Sequence, residues 1–150
     1  MKTNLKLGLI ALACAFTLSA PACADNDKPI STSQLPAAAQ QTLKKHFAGH
    51  KVALAKMESG LLEKSYDVIF TNGGKIEFNR RGEWTEISCK AADGGVPQAL
   101  VPSQIRQYVK QHYPSARILA IERDKEYEVE LTGRVELTFN ASFQLIDIDM

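Results

Sequence analysis

The stretch Tyr66-Asp-Val-Ile-Phe-Thr-Asn-Gly-Gly-Lys-Ile-Glu-Phe-Asn-Arg-Arg-Gly-Glu-Trp84 decides the fold of this chain. Apolar residues that alternate with their neighbours from Tyr66 to Phe70 have the period of a strand with one buried face. Asn72-Gly-Gly then supplies the positive-φ positions of a tight hairpin turn. The alternation resumes until a second turn at Gly82, after which Trp84 opens a third strand. The sequence therefore predicts consecutive antiparallel hairpins.

The same pattern recurs later in the chain. Tyr127 lies 61 residues after Tyr66, and the same shift matches a further set of positions: Val129, Leu131, Thr132, Leu137, Phe139, Asn140 and Leu145. Apolar and aromatic residues at helical spacing precede each copy: Ala39, Leu43, His46 and Phe47, then Ile105, Tyr108, Val109, His112 and Tyr113. Each copy thus predicts one helix followed by four strands.

These patterns predict an α+β fold in which two tandem α-β-β-β-β repeats form one curved antiparallel sheet with both helices on one face. The repeats span 33–90 and 97–150. They are predicted to make a single domain, 33–150, because neither is large enough to bury a sufficient hydrophobic core alone. The predicted strands are 51–58, 64–71, 75–79, 83–88, 117–123, 126–132, 135–140 and 143–148. Trp84 and Ile87 have opposite parity, as do Leu145 and Ile148, so a bulge is expected in the last strand of each copy.

The N-terminus carries a targeting signal. Lys2 and Lys6 precede an apolar run, and Ala22-Cys-Ala24 provides a cleavage site, so residues 1–24 are predicted to be a secretory signal peptide. The apolar run is too short for a permanent membrane span. Lipoprotein processing is the alternative, although neither early cysteine has a leucine-like residue three positions before it. Residues 25–32 lack apolar periodicity and are predicted to be a disordered lead-in.

Charge and cysteine content argue against a nucleic-acid-binding protein and against a protein with internal disulfides. The chain has 18 basic and 17 acidic residues, and the signal peptide contains two of the lysines and no acid. A mature chain so close to neutrality gives no reason to expect nucleic-acid binding. Cys89 is then the only thiol, so no internal disulfide can form. A lone cysteine at a strand end is more often a small buried apolar residue than a nucleophile.

Several motifs resemble those of a known family. They are Leu35-Pro-x-x-x-Gln40, Tyr66-Asp-Val, Ile76-Glu-Phe-Asn, Gly82-Glu-Trp, Cys89-Lys, Val96-Pro-x-x-Leu-Val-Pro102 and Tyr113-Pro. In this order they resemble the PepSY-like periplasmic proteins of the Bacteroides group, a family described as β-lactamase-inhibitor-like. The resemblance covers the whole mature chain and implies two helix-plus-four-strand repeats, a periplasmic or surface location and no established activity. Phe143 departs from the pattern by standing where copy one has Gly82, so a differently shaped final hairpin is expected.

Two groups of residues carry side chains that could form a chemical site. His46 and His112 occupy the same position at the two helix ends, where a histidine interacts favourably with the helix dipole; without clustered ligands they indicate no metal site. Glu128 and Glu130 share a strand face, and Glu136, Asp147 and Asp149 add further acid to the second copy. Such carboxylates could act as acid and base or bind a hard cation, but a solvated or partner-facing surface is the simpler interpretation. No cofactor is indicated.

The leading hypothesis is a non-enzymatic binding module that presents the helix-free sheet face to an envelope protein or peptide, in an inhibitor-like manner. Strand parity predicts that this face exposes six residues: Asp67, Ile69, Thr71, Glu128, Glu130 and Thr132. Their mixture of acid and apolar character suits a basic or amphipathic partner. The alternatives are an envelope protein that binds a cation or small ligand, and a hydrolase or transferase that uses Cys89 or the acidic cluster. A deep pocket in which Cys89 or Glu128 converges with a histidine would favour the enzyme.

Overall fold

The computed structural model of this protein describes residues 27–61 and 63–150. Within these residues one antiparallel sheet of nine strands, in the order of the chain, is accompanied by two helices. The elements are β1 (Lys28–Ile30), α1 (Ala37–His46), β2 (Val52–Ser59), β3 (Lys64–Phe70), β4 (Lys75–Asn79), β5 (Trp84–Ser88), α2 (Ser103–His112), β6 (Ile118–Arg123), β7 (Tyr127–Leu131), β8 (Val135–Phe139) and β9 (Leu145–Asp149). The predicted α+β class is confirmed.

A row of apolar residues crosses the sheet from edge to edge. Its members are directly paired on neighbouring strands: Ile30, Ala55, Val68, Ile76, Ile87, Ile121, Val129, Leu137 and Ile148. Directly paired residues point to the same side of an antiparallel sheet. From Val68 to Leu137 the row is completely buried, so this side of the sheet is the core.

Both helices pack on this core side. Phe47, at the end of α1, stacks on Phe70 of β3 with ring centroids 5.4 Å apart. Tyr108 of α2 meets Phe139 of β8 edge to face, also at 5.4 Å. The two halves join where β5 pairs with β6. One hydrophobic cluster therefore runs through both halves. Among the described residues, neither helix lies on the opposite side of the sheet.

The final hairpin differs from expectation. Phe143 has φ 60° and Gly82 has φ 80°, so both adopt the left-handed conformation that a non-glycine residue rarely takes. The Asn140 Oδ1 atom accepts hydrogen bonds from the Ser142 and Gln144 amides, and Asn79 makes the equivalent pair in the earlier hairpin. The prediction of a different shape was wrong, because the asparagine bonds hold both turns alike.

The N-terminal lead-in and the last strand of each copy were also predicted from the sequence. The lead-in 25–32 was predicted to be disordered, but residues 28–30 form β1, which pairs with β2. The prediction was therefore wrong for these residues. Backbone pairing can order a segment that has no apolar periodicity. The bulges predicted in the last strand of each copy are confirmed by register shifts on both β4–β5 and β8–β9. The tandem-repeat interpretation stays a prediction, and the signal peptide lies outside the described residues.

Candidate functional site

Five carboxylates form a line on the helix-free side of the sheet. Each is directly paired with the next on adjacent strands from β3 to β7: Asp67, Glu77, Glu86, Glu122 and Glu128. We call this line the carboxylate row. Its members alternate in sequence with core residues such as Ile76 and Ile121, which fixes their side of the sheet. The strand pattern that builds the core thus also builds the row.

More acid lies beside the row toward the C-terminal edge. Glu130 is paired with Glu136, and Glu136 with Asp149. Asp147 is paired with Thr138, which is itself paired with Glu128. We call the carboxylate row together with Glu130, Glu136, Asp147 and Asp149 the acidic face. Like charges placed directly opposite each other destabilise a sheet, so hydrophobic burial on the other side must hold this arrangement together.

Lysines neutralise only one end of the acidic face. Among the described residues, every ion pair involves Lys56 or Lys75. The Lys75 Nζ atom lies 3.4 Å from Glu86 and 3.5 Å from Glu77. Burial alone would lower the pKa of Lys75, but the carboxylates of Asp67, Glu86 and Glu77 outweigh it and raise the pKa. The acids of β6 to β9 have no such partner in the described part of the chain.

Asp67 differs from the other members of the row. Parity predicted that Asp67 would be exposed, but only 5% of the residue is accessible to solvent, so this prediction was wrong. Lys56 and Lys75 cover it, with Nζ atoms 3.3 Å and 3.9 Å from Oδ2. Lys56 also contacts Asp27 at 2.8 Å and Glu58. Hydrogen bonds from Lys56 to these two acids are the main reason that its pKa is raised. Asp67 is therefore a buried carboxylate that holds the side chains of Lys56 and Lys75 in place.

The remaining predicted residues divide into two groups. Glu128 and Glu130 are exposed on the helix-free side, and Ile69 is half-buried there between Leu54 and Lys75. Thr71 is exposed but follows the end of β3. Thr132 follows the end of β7, and its Oγ1 atom accepts a hydrogen bond from the Arg117 amide at 3.1 Å. The two threonines thus border the face at one end of the strands.

Sequence reasoning missed three members of the carboxylate row. Glu77 sits between two core residues of β4, and Glu122 follows Ile121, so parity could have assigned both. Glu86 was harder to assign because the register shift between Glu77 and Phe78 changes the phase of β5. That the three stand in line with Glu128 depends on the pairing of β5 with β6, which strand parity does not determine.

Desolvation and mutual repulsion affect the titration of the row. Burial, followed by the neighbouring carboxylates of Glu128 and Glu86, raises the pKa of Glu122. Burial also raises the pKa of Glu77, with Lys75 opposing the shift. A raised carboxyl pKa means that the folded protein disfavours the charged form of the group. The row is therefore held together in the folded state against its own charge.

Neutralising the centre of the row should stabilise the protein. Glu122→Gln is expected to raise the free energy of unfolding by about 0.5 kcal/mol near neutral pH, since it removes repulsion at a partly exposed site. Because the folded-state pKa of Glu122 is above its unfolded value, the folded wild type takes up the proton first as pH falls. The advantage of the variant should then disappear as the pH approaches the ordinary glutamate value of about 4.3. Urea unfolding of the variant and of the wild type, near neutral pH and near the glutamate pKa, measures this difference in the free energy of unfolding.

Glu83→Gln is the matched control for this measurement. Glu83 is exposed in the β4–β5 turn, and a hydrogen bond from Asn79, with smaller contributions from Arg123 and Arg81, lowers its pKa. Its charge is favoured in the folded state, so the amide should give no stabilisation at neutral pH. Equal stabilisation by both variants would contradict the account of repulsion within the row.

The geometry does not assemble the nucleophile considered above. Cys89 is buried, and burial, followed by the charge of Asp93, raises its pKa to about 11, so it is a neutral thiol at physiological pH. The cavity that contains Glu128, about 320 Å³, is lined by Glu122, Asp124, Lys125, Glu126 and Glu128, without a histidine or cysteine. The described residues contain no group of three or more His, Cys, Asp or Glu side chains arranged to hold a metal ion.

The two histidines considered above lie at the ends of separate helices. His46 is the last residue of α1 and His112 the last residue of α2. The His112 ring stacks on Tyr108 of its own helix with centroids 4.3 Å apart. Both therefore fit the helix-end interpretation.

The family profile described as "Putative beta-lactamase-inhibitor-like, PepSY-like" matches residues 64–147, more than half of the chain. The chain belongs to the PepSY-like family. The resemblance seen in the sequence motifs is thereby confirmed. The match begins at β3 and ends within β9, so it contains the whole carboxylate row of this PepSY-like protein. No protein of curated function matches the chain.

Solved structures from Bacteroides are similar to this PepSY-like protein. A DUF2874-family protein from Bacteroides vulgatus ATCC 8482 is 53% identical with a TM-score of 0.81, over 85% of this chain and 99% of that one. A Bacteroides thetaiotaomicron protein described as "putative calcium-regulated" is 55% identical with a TM-score of 0.79, over the same shares. A B. vulgatus protein of unknown function is 35% identical with a TM-score of 0.75, over 83% of this chain and 99% of that one.

These relatives also bear on location. All three are described as periplasmic, which confirms the predicted periplasmic or secreted location of this PepSY-like protein. Among the residues described, neither helix has the length and apolar character needed to cross a membrane.

Proposed function

We propose that this protein is a non-enzymatic binding module of the periplasm, and that its acidic face binds a cationic segment of another protein or of a peptide. The observation that carries the proposal is the carboxylate row with its unneutralised acids on β6 to β9. Opposed carboxylates reduce stability, and a partner that brings basic side chains between them would relieve that repulsion. Neither helix in the described part of the chain covers the face, and its acids on β6 to β9 are exposed.

The parts of the face would contribute differently. Glu122, Glu128 and Glu130 are exposed, and no lysine of the described residues pairs with them. Ile69, beside Lys75, offers an apolar surface at the neutralised end of the face. Asp67 would act indirectly by fixing the two lysines, while Thr71 and Thr132 lie at the border. This distribution suits a partner that is basic over β6 to β9 and less charged over β2 to β4.

The non-enzymatic part of the proposal rests on the candidate nucleophile and bases. Buried Cys89 keeps its proton, and no histidine is among the described residues that line the cavity at Glu128. The family description points in the same direction, because an inhibitor acts by binding a protein. Inhibition of a particular enzyme does not follow from the fold, since one fold supports many functions.

Removing two charges from the face should weaken and slow association. In the double variant Glu128→Gln, Glu130→Gln we expect a loss of affinity of roughly tenfold for a partner recovered from envelope extract, mainly because steering and pairing of charges are lost. The difference should shrink as salt screens the charges. Association rates measured by surface plasmon resonance at low and high ionic strength test this.

The matched control is Gln41→Lys, Gln111→Lys. Both glutamines are exposed on the helices, on the other side of the sheet, and both double variants change the net charge by the same amount. The control should bind as the wild type does. Unchanged binding of the face variant would contradict the proposal. An equal loss in the control would mean that general charge rather than the acidic face matters.

A divalent-cation site is the second candidate. It is favoured by opposed carboxylates such as Glu122 and Glu128, since calcium prefers oxygen ligands, and by the description of a 55% identical relative as calcium-regulated. It ranks second because no metal-holding group is arranged among the described residues. A melting temperature that rises with calcium in the wild type, but not in Glu128→Gln, Glu130→Gln, would favour the cation site. A melting temperature that calcium does not change, together with weaker partner binding in that variant, would favour the protein or peptide partner.

A further inference from the structure

The two edges of the sheet are built differently. β1 has only three residues, Lys28–Ile30, and Pro29 lies at its centre. A short edge strand with a proline resists the addition of another strand, because proline has no N–H to donate. At the other edge, β9 has five residues, Leu145–Asp149, without proline or glycine. Only the β9 edge is therefore suited to pairing with a further strand.

The side chains of β9 are distributed over both sides of the sheet. Asp147 and Asp149 are paired with Thr138 and Glu136 and so lie on the acidic face. Ile148 is paired with Leu137 of the core row, yet 41% of it is exposed. Ile146 at the register shift is 51% exposed. The edge thus presents acid on one side and uncovered apolar surface on the other.

This pattern also restricts what can pair with β9. A second copy aligned β9 against β9 would place its aspartates beside Asp147 and Asp149, and like charges side by side on a sheet are unfavourable. An extended segment in which basic residues alternate with apolar ones would instead place its bases beside the aspartates and its apolar side chains beside Ile148. Charge complementarity therefore selects a cationic strand.

We propose that the β9 edge binds an extended, alternating basic and apolar segment of the partner as an additional strand of the sheet. The inference rests on the proposed function, since it assumes the cationic partner of the acidic face. Strand addition supplies affinity through main-chain hydrogen bonds and specificity through alternate side chains. The partner would thus extend the sheet at β9 while its basic side chains reach Asp147, Asp149 and the neighbouring Glu136.

The test uses a defined peptide of about seven residues in which lysine alternates with valine, together with two N-methylated forms of it. Each form carries methyl groups on alternate residues, in opposite phases, so that each blocks one hydrogen-bonding edge of the extended peptide. A peptide that adds to β9 uses only one edge. Fluorescence anisotropy should therefore show that one methylated form binds roughly tenfold or more weakly, while the other binds like the unmodified peptide. Amide exchange should slow at residues 145–149.

The outcomes separate this inference from the proposed function. If both methylated forms bind like the unmodified peptide while Glu128→Gln, Glu130→Gln weakens binding, the peptide lies on the acidic face without strand pairing; the inference is then wrong and the proposed function stands. If the face variant also binds normally, both are wrong. Absence of peptide binding, or a concentration-dependent dimer that the peptide cannot disrupt, would overturn the inference, the latter because a second copy would already occupy the edge.

Discussion

Gly95→Ala is expected to lower the free energy of unfolding by about 3 kcal/mol or more. Gly95 has φ 81°, and a Cβ atom built there would lie 2.3 Å from the backbone oxygen of Ile118. The same oxygen accepts a hydrogen bond from the Val96 amide at 2.8 Å. Alanine would thus impose left-handed strain and push the linker away from β6, at the start of the second half of the sheet. Urea unfolding of the variant measures the loss.

Gly94→Ala is the control that separates the backbone strain of a left-handed alanine from the steric clash expected in Gly95→Ala. Gly94 has φ 89°, but nothing lies within 4 Å of the position of its Cβ. Its substitution should cost only the left-handed strain, about 1 kcal/mol. If the two variants were equally stable, the close packing of the linker against Ile118 would have no energetic importance, and the junction of the two halves would be looser than described.

Lys56→Met should be the second most damaging change. It would leave the buried carboxylate of Asp67 with only the more distant Lys75, and it would release Asp27 and Glu58. Breaking a fully buried pair costs about 3–5 kcal/mol. Because 21% of the Lys56 side chain is exposed and Lys75 remains, we expect roughly 2 kcal/mol. Chemical unfolding at neutral pH provides the measurement.

Two further variants make the interpretation specific. Lys64→Met removes a lysine from the exposed start of β3 and should change stability by less than about 0.5 kcal/mol. Adding Asp67→Asn to Lys56→Met should restore most of the loss, because no buried charge then lacks its partner. If the double variant were as unstable as Lys56→Met alone, the loss of stability would come from the lost packing of the lysine stem and not from the unpaired charge of Asp67.

The sequence alone determined much of this fold. Period-two alternation around Val68 and Val129, with asparagine and glycine turns between the strands, predicted the eight long strands to within about two residues. It did so because each strand buries one face and each turn needs particular backbone angles, which are local requirements. It also placed Glu128 and Glu130 on the helix-free side, since a side chain next to a core residue in a strand must point away from the core.

Only the tertiary structure decided how those side chains meet. The line from Asp67 to Glu128 exists because β5 pairs with β6 in one register, and pairing between distant segments depends on the packing of the whole core. The pairing of β3 with β2 and β4 places Lys56 and Lys75 around Asp67, so a residue that parity exposes is covered by neighbours from other strands. The strand order of the sheet leaves β9 at an open edge, whereas β1 covers β2. Parity fixes the side of the sheet, whereas burial, charge pairing and edge position depend on which strands are adjacent.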